Sequence, residues 1–120
     1  MATTKTTIPQ DKIDRYERVL AMHPELVRKG AANPYTSLNG HMFSGLNKEG
    51  ELGLRLSKTD REAFQARYNS PPFISYNTIM KEYVNVPEEL FDQPEELLHY
   101  FDLSLAYIKS LKPKPTKRST

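Results

Sequence analysis

The chain has 120 residues, 38% hydrophobic and 27% charged, with no Cys. This fits one soluble globular domain and excludes a collagen, a coiled-coil rod, disulfide staples and thiolate chemistry. No stretch reaches the roughly 18 uninterrupted apolar residues of a membrane helix, and Met1 to Gln10 lacks the apolar core of a signal peptide, so a cytoplasmic protein is expected. The net charge of +2 is uneven: residues 109–120 carry Lys109, Lys112, Lys114, Lys117 and Arg118 with no acid, which leaves 12 bases against 15 acids over residues 1–108. Glu82 to Asp102 holds seven acids and neither Lys nor Arg, so the folded body repels phosphate.

Residues 1–9 read as a flexible leader, 10–111 as one domain and 112–120 as a basic disordered tail, since Pro113 and Pro115 forbid a continuing helix. Ile13, Tyr16 and Leu20 form an apolar stripe, with Asp11 to Arg15 and Asp14 to Arg18 as i,i+4 ion pairs, predicting a helix over 10–22 that ends before Pro24. Asn39-Gly40 predicts a type I′ hairpin between Tyr35–Leu38 and His41–Ser44. Asn47 to Gly50 predicts a second turn, with Gly50 in the left-handed region, leading into the alternating strand Leu52–Leu56. Ser57 is a natural N-cap with Asp60 three residues on, starting a short helix that carries Phe64 inward and frays near Asn69. Phe73–Tyr76 and Glu82–Val86 read as strands four and five, the latter stopped by Pro87. Pro94, followed by Glu95 and Glu96, opens a last helix with the stripe Leu97, Phe101, Leu105 and Ile108. The fold class is therefore α+β, an antiparallel five-stranded sheet with helices on one face, in the order α-β(3)-α-β(2)-α.

These turns fix a register. Leu46 with Leu52, Ser44 with Leu54 and Met42 with Leu56 form the expected core face. The opposite face pairs Gly45 with Gly53, Phe43 with Arg55, Thr36 with Phe43, and Leu38 with His41. Two facing glycines make a shallow trough, because glycine weakens a strand unless another backbone or a flat ring approaches closely. Either Phe43 or a loop of the same chain covers them, or Thr36, Leu38, His41, Phe43, Gly45, Gly53 and Arg55 form a binding surface for a partner or ligand.

Enzyme chemistry finds no support. His23, His41 and His99 have no i,i+4 spacing, and the pairs Glu88-Glu89 and Glu95-Glu96 sit at helix starts, where the dipole explains them. The sequence holds no nucleophile elbow, phosphate-binding loop or dinucleotide fingerprint, so no catalytic residue, metal or cofactor is expected.

Met42-Phe43-Ser44-Gly45, then Glu51 to Leu56 followed by Asp60 to Phe64, then Met80 to Leu90 with its Tyr83-Val84-Asn85-Val86-Pro87-Glu88-Glu89-Leu90 ending, resemble the N-terminal domain of the TfoX/Sxy family in order and spacing. The resemblance spans Gly40 to Leu111 and is to that domain standing alone, without the C-terminal domain. It implies the same α-β(3)-α-β(2)-α order, similar to secretion chaperones, and a role in regulating DNA-uptake genes during competence, through other regulators. A non-enzymatic regulatory module that binds a protein, either another chain or a second copy of itself, through the open sheet face or a sheet edge is the expected function. The alternatives are a nucleic-acid-associated regulator that makes weak, salt-sensitive contact through the tail, and a small enzyme of unrecognised type.

Overall fold

The structure, a computed structural model, describes residues 8–30, 33–75 and 77–112. Of the leader expected at 1–9 and the tail expected at 112–120, residues 1–7 and 113–120 lie outside the described residues. Within them the elements run α1 (Gln10–Leu20), β1 (Tyr35–Leu38), β2 (His41–Leu46), β3 (Leu52–Arg55), α2 (Lys58–Tyr68), β4 (Pro72–Ser75), β5 (Thr78–Val86), a 3-10 turn (Glu88–Asp92) and α3 (Pro94–Ser110). The five strands form one antiparallel sheet in the order β1-β2-β3-β5-β4, so the α+β class and the element order stand as expected.

Local chemistry sets most boundaries. Asn39 and Gly40 both take positive φ, 56° and 82°, as a type I′ turn requires. The Ser57 hydroxyl accepts from the Asp60 N–H at 3.3 Å, and α2 closes on Asn69 in the left-handed region. Pro94 sits in the first turn of α3, where its missing N–H costs nothing. One core joins Ile13, Tyr16, Val19 and Leu20 of α1, Phe64 of α2 and Leu97, Phe101, Leu105 and Ile108 of α3 to Leu52, Leu54, Val84 and Val86 of the sheet. Ile8, which the sequence reading assigned to the leader, is buried in that core.

Several expectations are corrected. Helix α1 stops at Leu20, and neither Asp11 nor Asp14 pairs with Arg15 or Arg18. Arg15 instead reaches Glu88 at 3.6 Å and lies 4.1 Å over the Phe91 ring, a carboxylate and an aromatic face that the 3-10 turn brings together. Strand β5 begins at Thr78 rather than Glu82, because Asn77 at φ 60° turns the chain tightly after β4.

The most consequential correction lies in β2. Thr36 pairs with Ser44 and Ser37 with Met42, so Phe43 is the extra residue of a β-bulge. The bulge turns Phe43 into the core, 1% exposed, and swings Met42 to the outer face, with its Cε beside Gly45. The expected Thr36–Phe43 pair and the placement of Met42 on the core face are therefore wrong. Burial of a large aromatic ring outweighs the regular alternation on which that reading relied. The β2–β3 ladder keeps Ser44–Leu54, Gly45–Gly53 and Leu46–Leu52 as expected, and no Phe43–Arg55 pair extends it.

Candidate functional site

Of the seven residues expected to share one open face, the structure brings only Gly45 and Gly53 together there. Thr36 is buried on the core side, where its hydroxyl meets Ser44 Oγ at 2.5 Å, and Ser44 Oγ lies 2.6 Å from the Tyr16 hydroxyl. Leu38 does pair with His41, but it packs against the core, while His41 Nε2 contacts the Lys112 carbonyl at 2.8 Å. Arg55 donates to Glu82 at 2.6 Å, held near the Tyr107 ring.

The glycine pair is covered from within the chain. Strand β4 curls over the outer face, and the Phe73 ring, 2% exposed, lies on Gly53. On the Gly45 side, a Cβ would stand 3.3 Å from Tyr35 Cβ. The trough thus admits a ring of the same chain, but that ring is Phe73 of strand β4, not the Phe43 or the loop that the first alternative named. Tyr83 stacks beside Phe73 at 6.0 Å between ring centres and donates its hydroxyl to the Met42 carbonyl at 2.7 Å, satisfying a backbone group freed by the bulge. Burial pushes the Tyr83 hydroxyl up to about 12.

What remains open is the space between β4 and the segment leading into β1. It is a cleft of about 520 Å³ with Asn33 on one wall, Ile74, Ser75 and Asn77 on the other, and Leu46 to Glu49 at its base. A recess of about 50 Å³ adjoins it, lined by Tyr35, Met42, Gly45 and Phe73. Asn47 builds this corner. Its Nδ2 donates to Glu51 Oε1 and to the Ile74 carbonyl, both at 2.9 Å, while its Oδ1 accepts the Glu49 and Glu51 N–H groups at 3.1 and 2.9 Å. The β2–β3 turn is thereby fastened to β4. Beyond the cleft the β4–β5 hairpin presents Ile74 and Ile79, cross-strand partners 46% and 56% exposed.

Sequence reasoning missed every residue of this cleft. Asn47 was read only as a turn residue, Ser75 as part of strand four, and Asn33 and Asn77 fell in connections. The available signal was the pair of glycines itself, which required something flat to arrive from elsewhere, with Phe73 opening the fourth of the expected strands.

The histidines stay apart: His23 Nε2 lies 2.8 Å from Asp102 Oδ1, and His99 stacks edge-on near Tyr100. Among the described residues no group of three His, Asp or Glu is arranged to hold a metal ion, and no helix is long and apolar enough to cross a membrane.

The fold and this cleft define a small α+β domain whose outer sheet face is partly closed by its own edge hairpin. The family model described as the TfoX N-terminal domain matches residues 36–108, more than half of the chain, and the chain belongs to that family. Comparisons with curated proteins and with solved structures each returned no match.

Proposed function

We propose that this chain is a non-enzymatic protein-binding module of the regulatory, competence-associated kind, working in the cytoplasm. The observation that carries the reading is the β4–β5 hairpin: an edge hairpin with two exposed isoleucines beside a preformed cleft, on a chain of the TfoX N-terminal domain family. Exposed apolar side chains next to a cleft favour association, because covering them removes apolar surface from water at about 25 cal/mol per Å².

The test compares affinity capture by the tagged protein and by its Ile79→Asp variant from lysate of the source cells, with circular dichroism confirming that both fold. Ile79 is exposed, so the substitution leaves stability within about 0.5 kcal/mol. A partner held by the parent chain and lost from the variant supports the reading. Identical capture by both, or capture of nothing, overturns it.

A further inference from the structure

We infer that the cleft beside β4 binds an extended, uncharged peptide segment that places one small aliphatic side chain in the recess over Gly45. The inference rests on the protein-binding reading above and names the chemistry of what is bound.

The backbone of β4 supplies the first argument. Ser75 pairs with Thr78 across a two-residue loop, which makes that pair the hydrogen-bonded one. The next pair, Ile74 with Ile79, is then non-hydrogen-bonded, so the Ile74 N–H and C=O turn away from β5. The C=O is already met there by the Asn47 carboxamide, which places this edge at the cleft. The Ile74 N–H on the same edge is a donor for an incoming strand, whose own carbonyl would complete the pairing.

The side chains supply the second. Asn33 and Asn77 line the cleft and carry carboxamides, and Ser75 carries a hydroxyl. A carboxamide both donates and accepts, as a peptide unit does, and neither asparagine has a hydrogen-bond partner among the described residues. Lys48 and Glu49 stand side by side at the base and cancel in charge, which disfavours a phosphate chain and a metal cation alike. The volume falls within the range of about 300–1,000 Å³ usual for ligand sites. The recess is much smaller, about 50 Å³, and its lining is mostly apolar, with Tyr35, Met42 and Phe73 beside Asn33 and Ser75, so it takes a methyl-sized group and excludes a charged or aromatic one.

The test is a titration of the ¹⁵N-labelled full chain with an N-acetylated, C-amidated hexapeptide of alternating alanine and serine, followed by amide chemical shifts. Saturable shifts are expected at Asn33, Lys48, Ser75 and Asn77, with binding weaker by about tenfold when glutamate or lysine replaces alanine. Two variants address the two halves of the site. Asn77→Gly keeps the positive φ and removes one carboxamide, and Gly45→Ala narrows the recess; each should weaken binding about tenfold with the fold retained by circular dichroism. Absence of saturation, shifts that map to another surface, or binding by either folded variant as tight as the parent's overturns the inference. Because the Ile79→Asp capture uses a different surface residue and a different readout, loss of the captured partner there together with no peptide binding here would retain the module and discard the peptide.

Discussion

Phe73 and Gly53 meet so closely across the outer sheet face that a Cβ on Gly53 would stand 2.3 Å from Phe73 Cε2. The ring is buried against Tyr83 and cannot swing aside as the end of a flexible chain would. Gly53→Ala should therefore destabilise the protein by about 1–3 kcal/mol, and Gly53→Val by more. Replacing Phe73 by Leu in the same chain should return part of that loss, since the clash belongs to the pair. Urea denaturation of the three variants measures it. A change below about 0.5 kcal/mol in Gly53→Ala would show that the ring does not sit there.

The hydroxyls of Tyr16, Ser44 and Thr36 form a chain with Ser44 in the middle. Removing an end leaves the other two bonded, whereas removing the centre strands both ends. Tyr16→Phe is expected to cost about 0.5–1.5 kcal/mol and Ser44→Ala about 1–3 kcal/mol for each hydroxyl left unmet. A thermal or chemical denaturation series that reversed this order would contradict the network.

Burial raises the hydroxyl of Tyr16 above the ordinary tyrosine range and that of Tyr83 to about 12. Both folded values exceed the unfolded one, so this stabilisation is complete below the ordinary tyrosine value of 10.0 and is lost as pH rises through the folded values. Unfolding followed by tyrosinate absorbance should steepen above about pH 10, and Tyr16→Phe should flatten that slope. A slope equal to the parent's in this variant would refute the assignment.

At the acid end, the hydrogen bond from Lys12, at 2.8 Å, and the charge of Arg15 hold the Glu88 carboxyl below its usual value of 4.5. The lowered value means stability that is present above the usual carboxylate range and lost as pH falls through the folded one. Glu88 is largely exposed, so solvent screening keeps the effect under about 1 kcal/mol. Glu88→Gln should reduce the pH dependence of the melting temperature below about pH 4.5, most visibly at low salt. An unchanged acid limb would remove this pair from the account.

The bulge makes a prediction by contrast between neighbours. Phe43→Ala should cost about 3–5 kcal/mol and Leu54→Ala about 2–5 kcal/mol, because both leave cavities in the core. Met42, half-buried on the outer face, should cost less when truncated. A stability ranking with Met42 above Phe43 would restore regular alternation and reject the bulge.

These contrasts mark where sequence suffices. Asn39-Gly40, Ser57 with Asp60, and Pro94 announce their roles because turn and cap chemistry acts within a few residues, and the Gly45–Gly53 register followed from counting outward from the Asn47 to Gly50 turn. The position of Phe43 was not legible: a single inserted residue reverses every later face, and what selects it is burial against helices far along the chain. Likewise, nothing near Phe73 tells that its ring ends on Gly53, or near Asn47 that its amide reaches Ile74. The sequence-level surface failed for this reason, as its seven residues were assembled by alternation alone.

Along the ladder between the last two strands, two steps on β4, from Pro72 to Ile74, match five on β5, from Val84 to Ile79. The surplus residues interrupt pairing between the part of β5 that is bound to β3 and the part that carries the hairpin. Mechanically this is a clasp hung on a slack joint: lifting it breaks few ladder bonds but must draw Phe73 off Gly53 and part Asn47 from Ile74. Amides of the hairpin are accordingly expected to exchange with solvent as a group, ahead of those of β2 and β3, in a hydrogen-exchange measurement.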